Sequence, residues 1–273
     1  MTEFDIIALD MDGTLVNSMK QIAPEELEAV SLAVERGIHV VPASGRTLHT
    51  LPGELFELKG LRYFISCNGA RISDILTGRV VYRHNICRED MLKIMAEAKK
   101  YSCVREAALD DALYLAREDD EDELTFLPPH QHGFLRAMRT LTDDLDAMLE
   151  AAEDGAEKIL IFFHEAEELK RFRRWLEENF SLSISSSLDS NVEINALGVS
   201  KGRALSALAE HLGIPMSAVM ACGDSENDID MLKAAGLGIA MANATPEALA
   251  AADAVTLSND EHGVAAAIRR YAL

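Results

Sequence analysis

Asp10 and Asp12 are separated by a single residue and followed by Gly13-Thr14, directly after the apolar run Ile6-Ile7-Ala8-Leu9. A buried-type strand ending in two carboxylates puts them at the carboxyl edge of a sheet, where open α/β folds place their chemistry. Residues i and i+2 of an extended segment point the same way, so both side chains can address one substrate. Two carboxylates that lose solvent together repel each other and require a cation or a shared proton. A second acidic cluster, Gly223-Asp224-Ser225-Glu226-Asn227-Asp228, follows another apolar run, Ala218-Val219-Met220-Ala221-Cys222. Two strand-end carboxylate clusters far apart in the chain point to one divalent-metal site assembled by the fold.

A hard cation such as Mg²⁺ takes oxygen ligands and keeps several waters. The Asp10 side chain and the Asp12 carbonyl could share it, with Asp224 as the opposing carboxylate. With the oxygens of a phosphate ester neutralised in this way, a carboxylate can attack phosphorus and form an aspartyl-phosphate. Asp-x-Asp-Gly also occurs in calcium loops, and Asp-Gly pairs mark ordinary turns. A calcium loop needs Glu at its twelfth position; counted from Asp10 and from Asp224, that position holds Gln21 and Ala235. The calcium reading fails for both clusters. Ser44-Gly45-Arg46 follows a strand-like run and offers either a phosphate-binding hydroxyl with backbone N–H groups or a plain helix N-cap. Lys201, after Gly198-Val199-Ser200, is either the cation such a site requires or a solvated lysine. Asp228 and Asp230 suit the first turns of a helix, where negative charge is favoured, and Glu226 reads as a surface residue.

The elements that must position these groups follow a βα rhythm. Pro24 to Arg36 reads as a helix, with Pro24 in the first turn and Gly37 at its end. Ile38–Pro42 and Tyr63–Cys67 read as further strands, so parallel pairing through right-handed crossovers is expected. Ala70–Asp74 and Gly78–Arg83 read as a hairpin. The rhythm then changes. A helix at Glu89–Tyr101, strands at Cys103–Ala107 and Ala112–Ala116, and an acidic, then Pro-rich loop at Glu118–His132 follow. Helices at Phe134–Ala152 and Glu165–Asn179 flank a strand at Lys158–Phe163. Ser181–Ser187 and Val192–Asn195 complete an α+β segment. From Ser200 the alternation resumes, with helix Lys201–Leu212, strand Ala218–Cys222 and helix Glu226–Ala235. The expectation is an α/β protein with a Rossmann-like parallel-sheet core, residues 1–83 plus 189–273, and an inserted α+β cap at 84–188.

At 273 residues with 48% hydrophobic residues the chain can bury a substantial core. Its formal charge of −20 disfavours nucleic acid, whose binding rests on neutralising phosphates with Lys and Arg, and disfavours an anionic membrane for the same reason. Cys67, Cys87, Cys103 and Cys222 form no CxxC pair, which suits reduced, cytoplasmic chemistry. No basic region followed by an apolar stretch opens the chain, so no export signal is expected.

Taken in order, Asp10-Met11-Asp12-Gly13-Thr14-Leu15, Ser44-Gly45-Arg46, Lys201 and Gly223-Asp224-Ser225-Glu226-Asn227-Asp228 resemble the four motifs of the haloacid dehalogenase-like hydrolases. The large insertion between the second and third motifs, flanked by Asn68-Gly69-Ala70 and Gly198-Val199-Ser200-Lys201-Gly202, resembles the Cof-type sugar-phosphatase branch. The resemblance implies a phosphatase acting on a small phosphorylated metabolite, with Asp10 as nucleophile and Asp12 as acid, then base. It implies Mg²⁺ held by Asp10, the Asp12 carbonyl and Asp224, with Asp228 standing behind them. Met11 through its backbone, Ser44, Gly45, Lys201 and Asn227 would hold the phosphoryl oxygens. Haloacid dehalogenases proper lack the second aspartate, so Asp12 argues for phosphoryl transfer over carbon–halogen cleavage. Alternatives are a phosphomutase or phosphotransferase, and a signalling module phosphorylated on Asp. Arg46, Asn68, Glu193 and Asn195 are candidate substrate contacts from the core, and Arg105, Arg117, His130 and His132 from the cap. A monomer or homodimer is expected.

Overall fold

The computed structural model describes residues 4–273 except Ser187. Two compact units share the chain: the first runs up to Arg46 and includes Leu51–Arg83 and Ser200–Leu273, and the second comprises Thr47–Thr50 and His84–Val199.

The first unit opens with β1 (Ile6–Asp10), β2 (His39–Ala43), β3 (Tyr63–Ser66), β4 (Arg71–Asp74) and β5 (Arg79–Arg83). The second holds β6 (Cys103–Leu109), β7 (Ala112–Ala116), β8 (Thr140–Thr142), β9 (Lys158–Phe163), β10 (Leu182–Ser185) and β11 (Asn191–Ala196). The chain then returns to the first with β12 (Val219–Gly223), β13 (Leu237–Ala240) and β14 (Ala254–Val255).

In the first unit these strands form one sheet in the order β14-β13-β12-β1-β2-β3-β4-β5. Pairing is parallel from β14 to β3 and antiparallel at the β3–β4–β5 end. Every residue of β1 is buried, as a parallel strand covered on both faces requires. Ile6, Ala8, Val41 and Ile65 face one core with Leu205, Leu208, Met231 and Leu232 from helices Lys201–Leu212 and Ile229–Ala234. Gly202 lets those two helices touch: a Cβ there would lie 2.4 Å from the Asp230 carbonyl oxygen. Helix Pro24–Glu35 packs with helix Gly263–Tyr271, and a buried carboxylate joins them. Glu26 Oε2 accepts a 2.5 Å hydrogen bond from the Ala265 N–H in the first turn of the second helix, while Oε1 is buried without a partner.

In the second unit the sheet runs β10-β11-β9-β6-β7-β8, antiparallel except for the parallel β7–β8 pair. Helices Arg88–Ala98, Leu145–Ala151 and Ala166–Asn179 cover one face through Ile94, Leu149, Phe172 and Leu176. Val104, Leu115 and Phe162 on the other face pack with Phe126 and Leu141. There the buried Arg139 guanidinium joins Glu106 and Glu123. Burial and the neighbouring Glu106 push Glu123 up to about 10, against the pull of Arg139.

Several expectations shift. The core does not resume at residue 189, because β11 pairs with both β9 and β10 and carries the second unit on to Val199. Glu193 and Asn195 therefore stand in the second unit: Glu193 pairs with Lys158 at 2.5 Å, and the Asn195 amide donates to the Glu157 carbonyl. The expected helix at 134–152 is two helices, His132–Ala137 and Leu145–Ala151, divided by β8. The expected loop at 118–132 winds into short helical turns. The strand expected at 181–187 is observed as β10, its last expected residue, Ser187, lying outside the described residues. Arg105 and Arg117 pair locally with Asp146 and Asp143, and the His132 ring meets the Leu127 carbonyl. All four cysteines are free.

Burial raises Glu26 from an ordinary value of 4.5 to about 7, against the hydrogen bonds from Ala265 and Val264. Because the folded-state value lies above the unfolded one, the stabilising contribution is complete below pH 4.5 and fades as pH rises through 7. That window corresponds to about 3 kcal/mol. Thermal unfolding from pH 4.5 to 8 is expected to show Glu26→Gln losing less stability across the range than the native chain; parallel curves would refute this assignment.

Candidate active site

Strands β1 and β12 are parallel neighbours, with Leu9 opposite Cys222, so the residues that follow each strand emerge at the same sheet edge. This places Asp10 and Asp224 side by side. Gly13, with φ of +86°, turns the chain away directly after the acidic pair, and a Cβ at that position would lie 2.5 Å from Asp224 Oδ2. The wall behind is made by Thr14, whose hydroxyl donates to Asp224 Oδ1 at 2.9 Å.

Asp10, Asp224 and Asp228 each offer a carboxylate oxygen within 4.8 Å of the others. Lys201, at the start of its helix and fully buried, donates to Asp10 Oδ1 at 2.5 Å and to Asp228 Oδ1 at 2.7 Å. The other Asp228 oxygen accepts the N–H groups of Asp224 and Ser225 at 2.9 and 3.0 Å. Asp228 is thus engaged on both oxygens, which suits a residue that fixes the loop and the lysine. Asp10 Oδ2, in contrast, is buried with no hydrogen-bond partner.

Three carboxylates and one ammonium leave a net negative charge in a desolvated place. Burial, then the charges of Asp228 and Asp224, raise Asp10 well above the ordinary carboxylate range, against the pull of Lys201. Asp224 is also raised, by burial foremost and then by Asp228, against the Thr14 hydrogen bond and the pull of Lys201. Lys201 is buried at a cost to its charged form, yet Asp10 and Asp228 hold it above its ordinary value. An orphaned carboxylate oxygen, an all-oxygen donor set and an excess of negative charge fit a hard divalent cation.

Asp12 has a different setting. Burial works against its charge, but Arg46 and Lys20 hold its carboxyl below the ordinary range. Arg46, almost fully buried, grips it through Nε to Oδ2 at 2.7 Å and a terminal nitrogen to Oδ1 at 2.6 Å. Lys20 adds a 3.0 Å bond to Oδ1. The two aspartates of the first motif are therefore driven apart electrostatically, one by neighbouring carboxylates and the other by cations.

Ser44 and Gly45 follow β2, the neighbour of β1, and the Ser44 hydroxyl accepts from the Arg46 N–H at 3.2 Å. Asn68, in the left-handed region at φ of +60°, donates its N–H to the Ser44 carbonyl at 3.0 Å. Its side-chain oxygen accepts from the Asn227 amide at 3.3 Å. A Cβ on Gly45 would come within 2.8 Å of that same oxygen. Asn68 thus ties the Ser44-Gly45 loop to Asn227. Met11 is fully buried, and its carbonyl accepts from Thr14 and Val16. The roles of Thr14 and Lys20 were not legible in the sequence. Nor was that of Asn243, whose amide holds the Gly13 carbonyl at 2.8 Å. Thr14 alone had a signal, its place in the acidic motif.

Residues 7–268 match the family described as haloacid dehalogenase-like hydrolase. The chain is similar to the Bacillus subtilis 5-amino-6-(5-phospho-D-ribitylamino)uracil phosphatase YcsE, with 34% identity covering 99% of this chain and 97% of that protein. It is also similar to the B. subtilis phosphatase YwpJ, with 34% identity over 95% and 97% of the two chains. The crystal structure of a haloacid dehalogenase-like hydrolase from Bacteroides thetaiotaomicron superposes with a TM-score of 0.82 at 30% identity, covering 98% of this chain and 99% of that one. With the four motifs gathered at one sheet edge and the match running nearly end to end, the chain belongs to the haloacid dehalogenase-like hydrolases, in their Cof-type branch.

Proposed function

We propose that the protein is a Mg²⁺-dependent phosphatase that hydrolyses small phosphorylated metabolites, sugar phosphates or similar monoesters, through an aspartyl-phosphate on Asp10. The observation that carries this reading is the buried group of Asp10, Asp224, Asp228 and Lys201, with Asp12 held apart by Arg46. The substrate named for YcsE, a phosphorylated ribitylaminouracil, supports a polyol or sugar-like leaving group. The second unit is read as the cap that selects among such groups.

Asp10, Asp224 and the Asp12 carbonyl would hold the ion, which when bound neutralises charge on the phosphoryl oxygens and on Asp10. Lys201 holds the Asp10 side chain through Oδ1; of the two Asp10 oxygens, one would serve the ion and the other would attack phosphorus. Ser44, Gly45, Asn227, Lys201 and the Met11 backbone would orient the phosphoryl group. Asp12 gives a proton to the departing alcohol and then takes one from the water that opens the aspartyl-phosphate. The grip of Arg46 and Lys20 suits the second of these steps. The first requires Asp12 to carry a proton, which release of either cation favours.

Phosphate release from a panel of sugar phosphates, nucleotides, cofactor phosphates and an aryl phosphate is expected to need Mg²⁺ and to stop with EDTA. Asp10→Asn should lower it roughly a thousandfold or more; turnover that survives this change would show that Asp10 is not the nucleophile. Lys201→Met leaves the carboxylates uncompensated. In metal-free buffer it should cost about 3–5 kcal/mol, with Mg²⁺ restoring part of the lost melting temperature. A Lys201→Met melting temperature equal to wild type without metal would contradict the charge-compensation role.

A further inference from the structure

Between β3 and β4 the chain passes through Cys67, Asn68 and Gly69 with φ of +51°, +60° and +101°. Residues with side chains enter the left-handed region singly as a rule, and a run of them persists only where its surroundings over-determine it. Here the surroundings are three pieces of chain that carry candidate phosphoryl contacts. The Cys67 and Asn68 N–H groups donate to the Arg46 and Ser44 carbonyls, each at 3.0 Å, which holds the Ser44-Gly45 loop from both sides. Gly69 lies against the start of helix Lys201–Leu212, where a Cβ would come within 2.2 Å of the Ser200 carbonyl oxygen. The Asn68 side-chain oxygen accepts from the Asn227 amide at 3.3 Å. The Asn227 oxygen accepts in turn from the Ser225 hydroxyl at 2.8 Å. All of these residues belong to the first unit.

We propose that Asn68 is a positioning residue that sets the Asn227 carboxamide for phosphoryl binding, and not a contact to the leaving group of the substrate. A primary amide carries two N–H bonds and one carbonyl oxygen. Ser225 holds the Asn227 oxygen and Asn68 holds one N–H, so the plane of the amide is fixed and its second N–H is the one to offer to a phosphoryl oxygen. The left-handed turn gives Asn68 that reach while its backbone holds the Ser44 carbonyl. One residue thereby keeps the second and fourth motifs in register. A misplacement on the order of 1 Å in such a group can cost a hundredfold in rate. The inference rests on the phosphatase reading for its kinetic readout, but the hold on Asn227 can be observed without turnover.

Two variants of the full chain separate positioning from contact. Asn68→Gly takes positive φ freely and removes the acceptor; Asn68→Asp tolerates the same backbone and keeps an accepting oxygen, but has no N–H of its own to give a phosphate. With para-nitrophenyl phosphate and Mg²⁺, Asn68→Gly is expected to lower kcat/KM roughly tenfold, and Asn68→Asp to lower it less. The Asn68→Gly loss should be the same for the best sugar phosphate, since the phosphoryl group is common to both. In an Asn227→Ala background Asn68→Gly should cost nothing further, because residues that act through one another are not additive. Nitrogen-15 relaxation of the Asn227 side-chain amide should show it mobile in Asn68→Gly and ordered in Asn68→Asp. Wild-type kcat/KM in Asn68→Gly, a larger loss in Asn68→Asp, a loss that changes with the leaving group, or additivity with Asn227→Ala overturns the proposal. If wild type itself releases no phosphate, the phosphatase reading fails and relaxation alone decides: mobility confined to Asn68→Gly supports the hold on Asn227, and an amide equally ordered in both variants rejects it.

Discussion

The ammonium of Lys201 lies between Asp10 and Asp228 with no solvent around it, and the architecture of the first unit serves that contact. Removing three carboxylates from water is tolerable only if opposite charge is delivered to them. The lysine is delivered by a helix whose second residue is Gly202, small enough to let its neighbour approach. That neighbour follows directly on the turn holding Asp228. Asp228 in turn uses its remaining oxygen to fix the Asp224 and Ser225 N–H groups, so one buried side chain orders both the lysine and the opposing carboxylate. A charge balance that still favours negative is what makes the place suitable for a cation and for an anionic phosphoryl group together.

The arrangement also resolves how a chain of net charge −20 can handle a phosphate ester. Bulk charge repels such a substrate only weakly at physiological salt, where screening acts within about 8 Å. Local composition decides instead. Lys201, Lys20 and Arg46 are gathered about the paired aspartates, while much of the remaining acidity is solvated on the surface.

Much of this site was legible in the sequence because its carboxylates end apolar runs, and an apolar run of that length is a strand whose end is a sheet edge. Asp10, Asp12 and Asp224 could be placed on that basis. What could not be read were contacts between strand-end loops that meet only once the sheet has formed: Thr14 on Asp224, and Asn68 on Asn227. The same limit explains the misplaced boundary. The alternation in Val192–Asn195 identifies a strand but not its partner, and only the pairing of β11 with β9 assigns it to the second unit. The continuous helix expected over 134–152 failed for a related reason. Leu and Ala spacing favours a helix there, yet Thr140-Leu141-Thr142 finds an open edge on β7 and pairs with it, a tertiary gain that overrides local preference.

The central strand β1 lies between β2 and β12, and this has a consequence for how the chain is made. One edge of β1 can pair as soon as β2 leaves the ribosome. The other must wait for β12, which begins only at Val219, whereas β2 ends at Ala43. At translation rates of about 5–20 residues per second, an apolar strand edge stands open for on the order of ten seconds or more. The second unit, almost wholly contiguous in the chain, is free to fold during that interval. The unit that carries the chemistry is therefore completed last, and it is the part of the nascent chain most dependent on protection from aggregation.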